Sequence, residues 1–169
     1  MSLESANLSR RKLLKAGAIG VPAAGVLAFG STLVTASSAN AISADGWWGE
    51  ETSAGLQRFM NAVMGANLIV DGVISSQPSY MAPSCPGIVG GWEWVESKQA
   101  EGSPTIAAMH EWLSHLPLNS SRRREKNFST IGSVIVGLQQ HYGISPDARL
   151  DGPSQTIMAL QNEINQYVG

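Results

Sequence analysis

Apolar residues recur along this chain at helical spacing in four places. Leu56, Phe59, Met60, Val63 and Met64 fall on one stripe, with Thr52 placed to cap the run and Gly65 to end it. Ser103 is an expected N-cap with Pro104 at the first helical position, after which Ile106, Met109 and Leu113 share a face until Pro117. A third helix is predicted from near Ser129, with Ile131, Val134, Ile135, Leu138 and Tyr142 inward and Gly143 as its stop. The fourth starts at Pro153 or Ser154 and turns Ile157, Leu160, Ile164 and Tyr167 or Val168 inward. Strand patterning is thin and limited to Leu68–Ile74 and Ile88–Val89, which Gly and Pro surround. The expected fold is mainly α, with about four helices and long Pro/Gly-rich loops.

Two connections stand out. Residues 75–102 are rich in Ser, Pro and Gly and carry Trp92 and Trp94; loops of this length are usually functional or partly disordered. Residues 119–127 hold Arg122, Arg123, Arg124 and Lys126. That cluster reads as a solvated linker, or as a contact for phosphate-rich wall polymers.

Ahead of the helices, Ser9-Arg10-Arg11-Lys12-Leu13-Leu14-Lys15 precedes an apolar run from Ala16 to Val34. This resembles a twin-arginine signal peptide, with Arg10 and Arg11 as its signature and Leu13 in place of the usual Phe. Pro22 and four glycines weaken the run as a membrane span, and Ala39-Asn40-Ala41 is a small-x-small cleavage signal. The expected division is therefore a signal peptide at 1–41, cleaved after Ala41, and one domain at 42–169. No stable membrane span is expected after cleavage, and the product would be secreted or associated with the cell wall.

Removing residues 1–41 takes four Lys/Arg and one Asp/Glu from totals of 11 and 13, leaving 7 and 12. The net charge moves from −2 to about −5, which gives no basis for nucleic-acid binding. One cysteine excludes an internal disulfide framework, so packing must stabilise the domain. No cofactor motif is present.

A short pattern repeats. Asp45-Gly46-Trp47-Trp48-Gly49-Glu50-Glu51-Thr52 leads to Leu56-Gln57, and Asp151-Gly152-Pro153-Ser154-Gln155-Thr156 leads to Leu160-Gln161. A third Asp-Gly, Asp71-Gly72, is followed by Val73-Ile74-Ser75-Ser76-Gln77. Each Asp-Gly is expected to form a tight turn, with a threonine capping the next helix, its Leu inward and its Gln at the edge.

The run from Asp45 to Phe59 resembles the peptidoglycan-binding-like family, whose hallmark is Asp-Gly-x-x-Gly-x-x-Thr-x-x-x-Leu-x-x-Phe. Val70–Gln77, Pro86–Ile88, Trp92–Trp94 and the helix after Gly102 follow in the order seen in wall-binding C-terminal modules of actinobacterial and phage lysins. The resemblance covers about Ala44 to Gln166, with internal repeats at about 44–77 and 103–167. It implies small helical repeats and a non-catalytic module that binds peptidoglycan or another wall glycan. Departures occur in the last repeat, where the spacing from Asp147 to Thr156 exceeds the pattern and Ala148 stands in the glycine position. Either Asp147 or Asp151 can be the family aspartate. Glu96–Gly102 and the Arg-rich loop look like insertions.

Candidate ligand residues are Trp47, Trp48, Trp92, Trp94 and Gln77, because indole faces stack on sugars and amides bond hydroxyls. Trp47 and Trp48 can equally plug a small core, and one ring of the Trp92/Trp94 pair is expected inward. Asp45, Gly46, Gly49, Thr52, Asp71, Gly72, Asp151, Gly152 and Thr156 are read as turn and repeat formers. No catalytic constellation is recognised. Cys85 lies between prolines, away from any helix start, and reads as a packed or partly exposed thiol. His110 and His115 face different ways and His141 is distant, so no metal site is expected. Glu50, Glu51, Glu93, Glu96 and Glu101 are loop or helix-start acids rather than a glycosidase pair. The competing expectations are a divergent wall hydrolase, or an exported companion or inhibitor that binds a secreted protein partner.

Overall fold

The computed structural model describes residues 39–117 and 131–168. Arg10 and Arg11 of the expected signal peptide, the Arg122–Arg124 cluster and Ser129 lie outside the described residues. The four apolar stripes become four helices. Helix α1, Glu50–Met64, buries Leu56, Phe59 and Met60 completely. Gly49 takes its N-cap position, so Thr52 sits inside the first turn rather than capping it. Glu50 and Glu51 place negative charge on that first turn, where the helix dipole favours it. Gly65, at φ 64°, closes the far end. Helix α2, Pro104–His115, is capped by Ser103, whose side chain accepts from the Thr105 N–H at 3.2 Å. It buries Trp112 beside the expected Ile106, Met109 and Leu113. Helix α3, Ile131–His141, buries Ile131, Val134, Ile135 and Leu138, with Tyr142 beyond its end partly buried. Helix α4, Gln155–Val168, begins after Ser154, whose hydroxyl accepts from the Ile157 N–H at 3.3 Å. Ile157, Leu160 and Ile164 are fully buried, while Tyr167 is 60% exposed, its ring tilted against Phe59 at 5.2 Å. Helix α1 packs against α4 and α2, and α2 against α3. The described residues are mainly α, as the stripes require.

The strands fall elsewhere than expected. Strand β1, Ile74–Pro78, and strand β2, Trp92–Val95, pair in parallel, with Ile74 opposite Trp92 and Gln77 opposite Trp94. The register slips between Ile74 and Gln77, where Ser76 takes φ 52°. A parallel pair needs a crossover, and residues 79–91 supply it, starting with a 3₁₀ helix at Ser79–Ser84. The stretch 75–102 is therefore structured along much of its length rather than a loop. Loop 96–102 is itself tied down, because Ser76 accepts from the Gly102 and Glu101 N–H groups.

Residues 84–92 act as a spine on which three distant segments lie in succession. Leu150 donates to the Ser84 carbonyl and accepts from Gly87. Trp48 donates to the Gly87 carbonyl and accepts from Val89, and Ile74 donates to the Gly91 carbonyl. Leu150, Trp48 and Ile74 are exposed by 1%, 1% and 0%. The approach is close enough that a β-carbon on Gly91 would lie 2.7 Å from Ser53 Oγ and 2.9 Å from the Gly72 carbonyl. Only glycine fits there.

Candidate functional site

Three turns feed the spine, and one device holds each of them. Gln57 of α1 accepts from the Asp71 and Gly72 N–H groups at 3.0 and 2.9 Å. Its amide nitrogen donates to Asp71 Oδ1 at 2.7 Å and to the Val73 carbonyl at 3.1 Å. Gln139 of α3 accepts from Asp147 and Ala148 at 3.0 and 3.1 Å, and donates to Asp147 Oδ1 and the Arg149 carbonyl at 2.7 and 3.1 Å. Gln161 of α4 accepts from Gly46 at 2.9 Å and donates to Asp45 Oδ1, the Trp47 carbonyl and Thr52 Oγ1 at 3.2, 2.8 and 3.0 Å. Within each turn the aspartate also accepts from the N–H two residues on, at 2.9 Å in all three. Side-chain amides suit this task because one group both donates and accepts. All three glutamines are at most 3% exposed, so they are buried clasps rather than edge residues.

This pattern decides which aspartate is the third member. Gly46, Gly72 and Ala148 occupy the same turn position at φ 79°, 75° and 60°. Asp147 is thus the counterpart of Asp45 and Asp71, and Asp151-Gly152 is not the repeated turn. Asp151 instead pairs with Arg149 at 2.8 Å on the surface, and Gly152 lies under the Trp47 ring. A β-carbon on Gly152 would come within 2.3 Å of that ring. Thr52 and Thr156 are both buried in the first turns of their clasp helices, although neither is an N-cap.

The clasps also set charge. Asp71 and Asp147 are held below the usual carboxylate value of 3.8 mainly by the Gln57 and Gln139 amides, and Asp45 mainly by the Trp47 N–H. All three are acceptors at neutral pH, which the turn geometry needs.

The aromatic candidates separate. Trp48 is core: its indole N–H donates to Ser53 Oγ at 2.9 Å, and Ser53 donates on to the Gly91 carbonyl at 3.0 Å. Its ring meets Trp92 edge-on at 5.3 Å. Trp92 and Trp94 lie on one side of β2, stacked at 5.3 Å and 28°, with Glu93 outward. Both are half-buried, so the pair does not divide into one inward and one free ring. Residues two apart in a strand share a face, which is why they meet. Gln77 is 2% exposed and donates to the Ser75 carbonyl at 2.8 Å within its own strand, so its amide is turned inward rather than to the surface.

Trp47 alone of these residues is more than a third exposed, at 38%. It sits two residues after its aspartate, as Val73 and Arg149 do in the other turns. At this position the clasps consume the backbone N–H and carbonyl, leaving the side chain to project. Val73 and Val89 are exposed by 41% and 65% on neighbouring segments of the spine. Trp47, Val73 and Val89 are thus exposed apolar side chains on segments that meet at the spine, and the Arg149–Asp151 pair stands on the third turn.

Reactive groups are few. Burial pushes the Cys85 thiol up to about 11, so it is not a thiolate at neutral pH. Glu163 accepts from Tyr142 at 2.7 Å and lies 3.1 Å from His141 Nε2, against Trp112. Among the described residues no three His, Cys, Asp or Glu gather as a metal site, and no helix is long and apolar enough to cross a membrane.

Sequence reasoning missed Gln139 and the buried role of the glutamines, and left Asp147 and Asp151 as alternatives. The signal was present as Leu138-Gln139, a third Leu-Gln beside Leu56-Gln57 and Leu160-Gln161. No family model matches the chain, and neither a curated protein nor a solved structure matches it.

Proposed function

We propose that this chain is a non-catalytic module that binds peptidoglycan, exported behind a twin-arginine leader spanning residues 1–41. The binding face is the apolar row of Trp47, Val73 and Val89. Its helices and turns are peptidoglycan-binding-like repeats, with units at about 44–77 and 103–167. One observation carries the reading: three turns with their polar backbone groups satisfied internally each spend one outward side chain, and the most exposed tryptophan is among them. A rigid frame that presents a half-exposed indole suits sugar-ring stacking, because little side-chain freedom is lost on binding. The resemblance of Asp45–Phe59 to wall-binding modules points the same way.

Co-sedimentation of Ile42–Gly169 with insoluble peptidoglycan tests the proposal. Saturable pelleting that free wall fragments compete away is expected. Absence of pelleting overturns it and leaves a protein partner as the role to pursue. Release of amino sugars or peptides from the wall would reassign the chain to the hydrolases.

A further inference from the structure

The first buried residue of the described chain is Ile42, at 6% exposure, whereas Ala39, Asn40 and Ala41 are exposed. Ile42 is fixed through both its backbone N–H and its carbonyl. Its N–H donates to Asn165 Oδ1 at 2.8 Å and its carbonyl accepts from Asn165 Nδ2 at 2.8 Å. The side chain lies in a socket between α1 and α4. A β-carbon on Gly55 would stand 3.1 Å from Ile42 Cδ1 and Cγ2 and 3.2 Å from Ile164 Cγ2. Glycine inside a helix is ordinarily unfavourable relative to alanine; here its bare face admits Ile42.

The same arrangement occurs one turn on. Asn61, four residues after the clasp Gln57, holds Leu68 through its N–H and carbonyl at 2.6 and 2.9 Å. Asn165 stands four residues after Gln161, and Ile42 and Leu68 each lie three residues before their clasped aspartate. The Ile42 seat is therefore a regular part of the frame.

We infer that this seat fixes where the domain begins: it limits proteolytic trimming of the N-terminal segment to Ile42 and keeps the new amino terminus docked. Hydrolysis of the Ala41–Ile42 bond consumes one water, leaving a carboxylate on Ala41 and an ammonium on Ile42. That ammonium still donates to Asn165 Oδ1, and Glu51, which accepts from the Ser43 N–H at 3.3 Å, supplies an anion one residue away. Beyond Ile42, cutting requires the seat to open and then the Gln161 clasp on Gly46. This inference stands whether or not the module binds the wall.

The full-length protein, treated with a broad-specificity endoprotease under native conditions, provides the test, with the first residue of the surviving core read by N-terminal sequencing. The expected boundary settles between Ala39 and Ile42. Asn165→Leu should carry it past Ile42 about tenfold faster, the change expected when one or two ordinary hydrogen bonds no longer oppose local opening. Gly55→Ala should shift it in the same direction with Asn165 intact, which keeps the inference testable if Asn165→Leu fails to fold. A wild-type boundary at Ala44–Gly46 would give the stop to Gln161 and overturn the inference. So would an unmoved boundary in both folded variants.

Discussion

The Asp45 and Asp147 turns share a frame and differ in everything else. Both bind a buried glutamine through the aspartate, the next N–H and the carbonyl two residues on. Both place an apolar residue, Trp48 or Leu150, on the spine at 1% exposure. Yet one uses glycine where the other uses Ala148 at φ 60°, and one projects Trp47 where the other projects Arg149. The frame demands an acceptor aspartate, a partner amide and an apolar anchor. It leaves the outward residue free, and binding chemistry can vary there without disturbing the fold.

The sharpest way to break this equivalence is at the anchors. Trp48→Ala should cost about 3–5 kcal/mol and Leu150→Ala about 2–5 kcal/mol, both through lost burial and a residual cavity. Urea unfolding midpoints would show it, and a cost under 1 kcal/mol for Leu150→Ala would remove the third turn from the comparison. Next come the clasps. Gln139→Leu and Gln161→Leu each leave a turn with buried groups unpaired, an effect of about 2–3 kcal/mol. Asp151→Asn should be nearly neutral, because the Arg149 pair is exposed; a loss matching that of Asp147→Ala would contradict the assignment of Asp147.

Acid probes the same turns more gently. Each clasped aspartate is held below 3.8 in the folded chain, so on acidification the unfolded chain takes up protons first. Their contribution is complete well above 3.8 and drains as pH falls through the lowered folded values. The Tm should decline more steeply below about pH 4 in the wild type than in a variant with Asp71→Asn and Asp147→Asn. Parallel declines would show that the clasped carboxylates are not the acid-sensitive groups. The smallest expected effect is a gain. Ala148→Gly removes left-handed strain of about 1–2 kcal/mol and adds unfolded-state freedom of about 0.5–1 kcal/mol, for a net stabilisation of about 0.5 kcal/mol.

Much of the helical frame was legible because helices α1 to α4 bury apolar stripes at regular spacing, and Gly65, Ser103 and Pro104 mark their ends with specific backbone chemistry. The strands were not. Ile74–Pro78 reads Ile-Ser-Ser-Gln-Pro, with neither apolar alternation nor a β-branched run, and its pairing depends on a glycine-lined spine distant in sequence. Asp71 was recognisable from its glycine, whereas Ala148 disguised Asp147: the turn's left-handed position is held there by the Gln139 hydrogen bonds. The exposure of Trp47 beside the buried Trp48 could not be read from two adjacent tryptophans, since it follows from which of them bonds to the spine. Gln77, inside a stretch expected to be a loop, looked available for a ligand, but it lies in a paired strand and is buried.

The most direct test is to titrate soluble peptidoglycan fragments into ¹⁵N-labelled protein and follow the indole N–H signals. The account predicts that the Trp47 indole and the Val73 and Val89 amides shift together and saturate, while the Trp48 indole, bonded to Ser53, stays in place. Five unmoved indole signals, or shifts confined to Trp92 and Trp94, would contradict it.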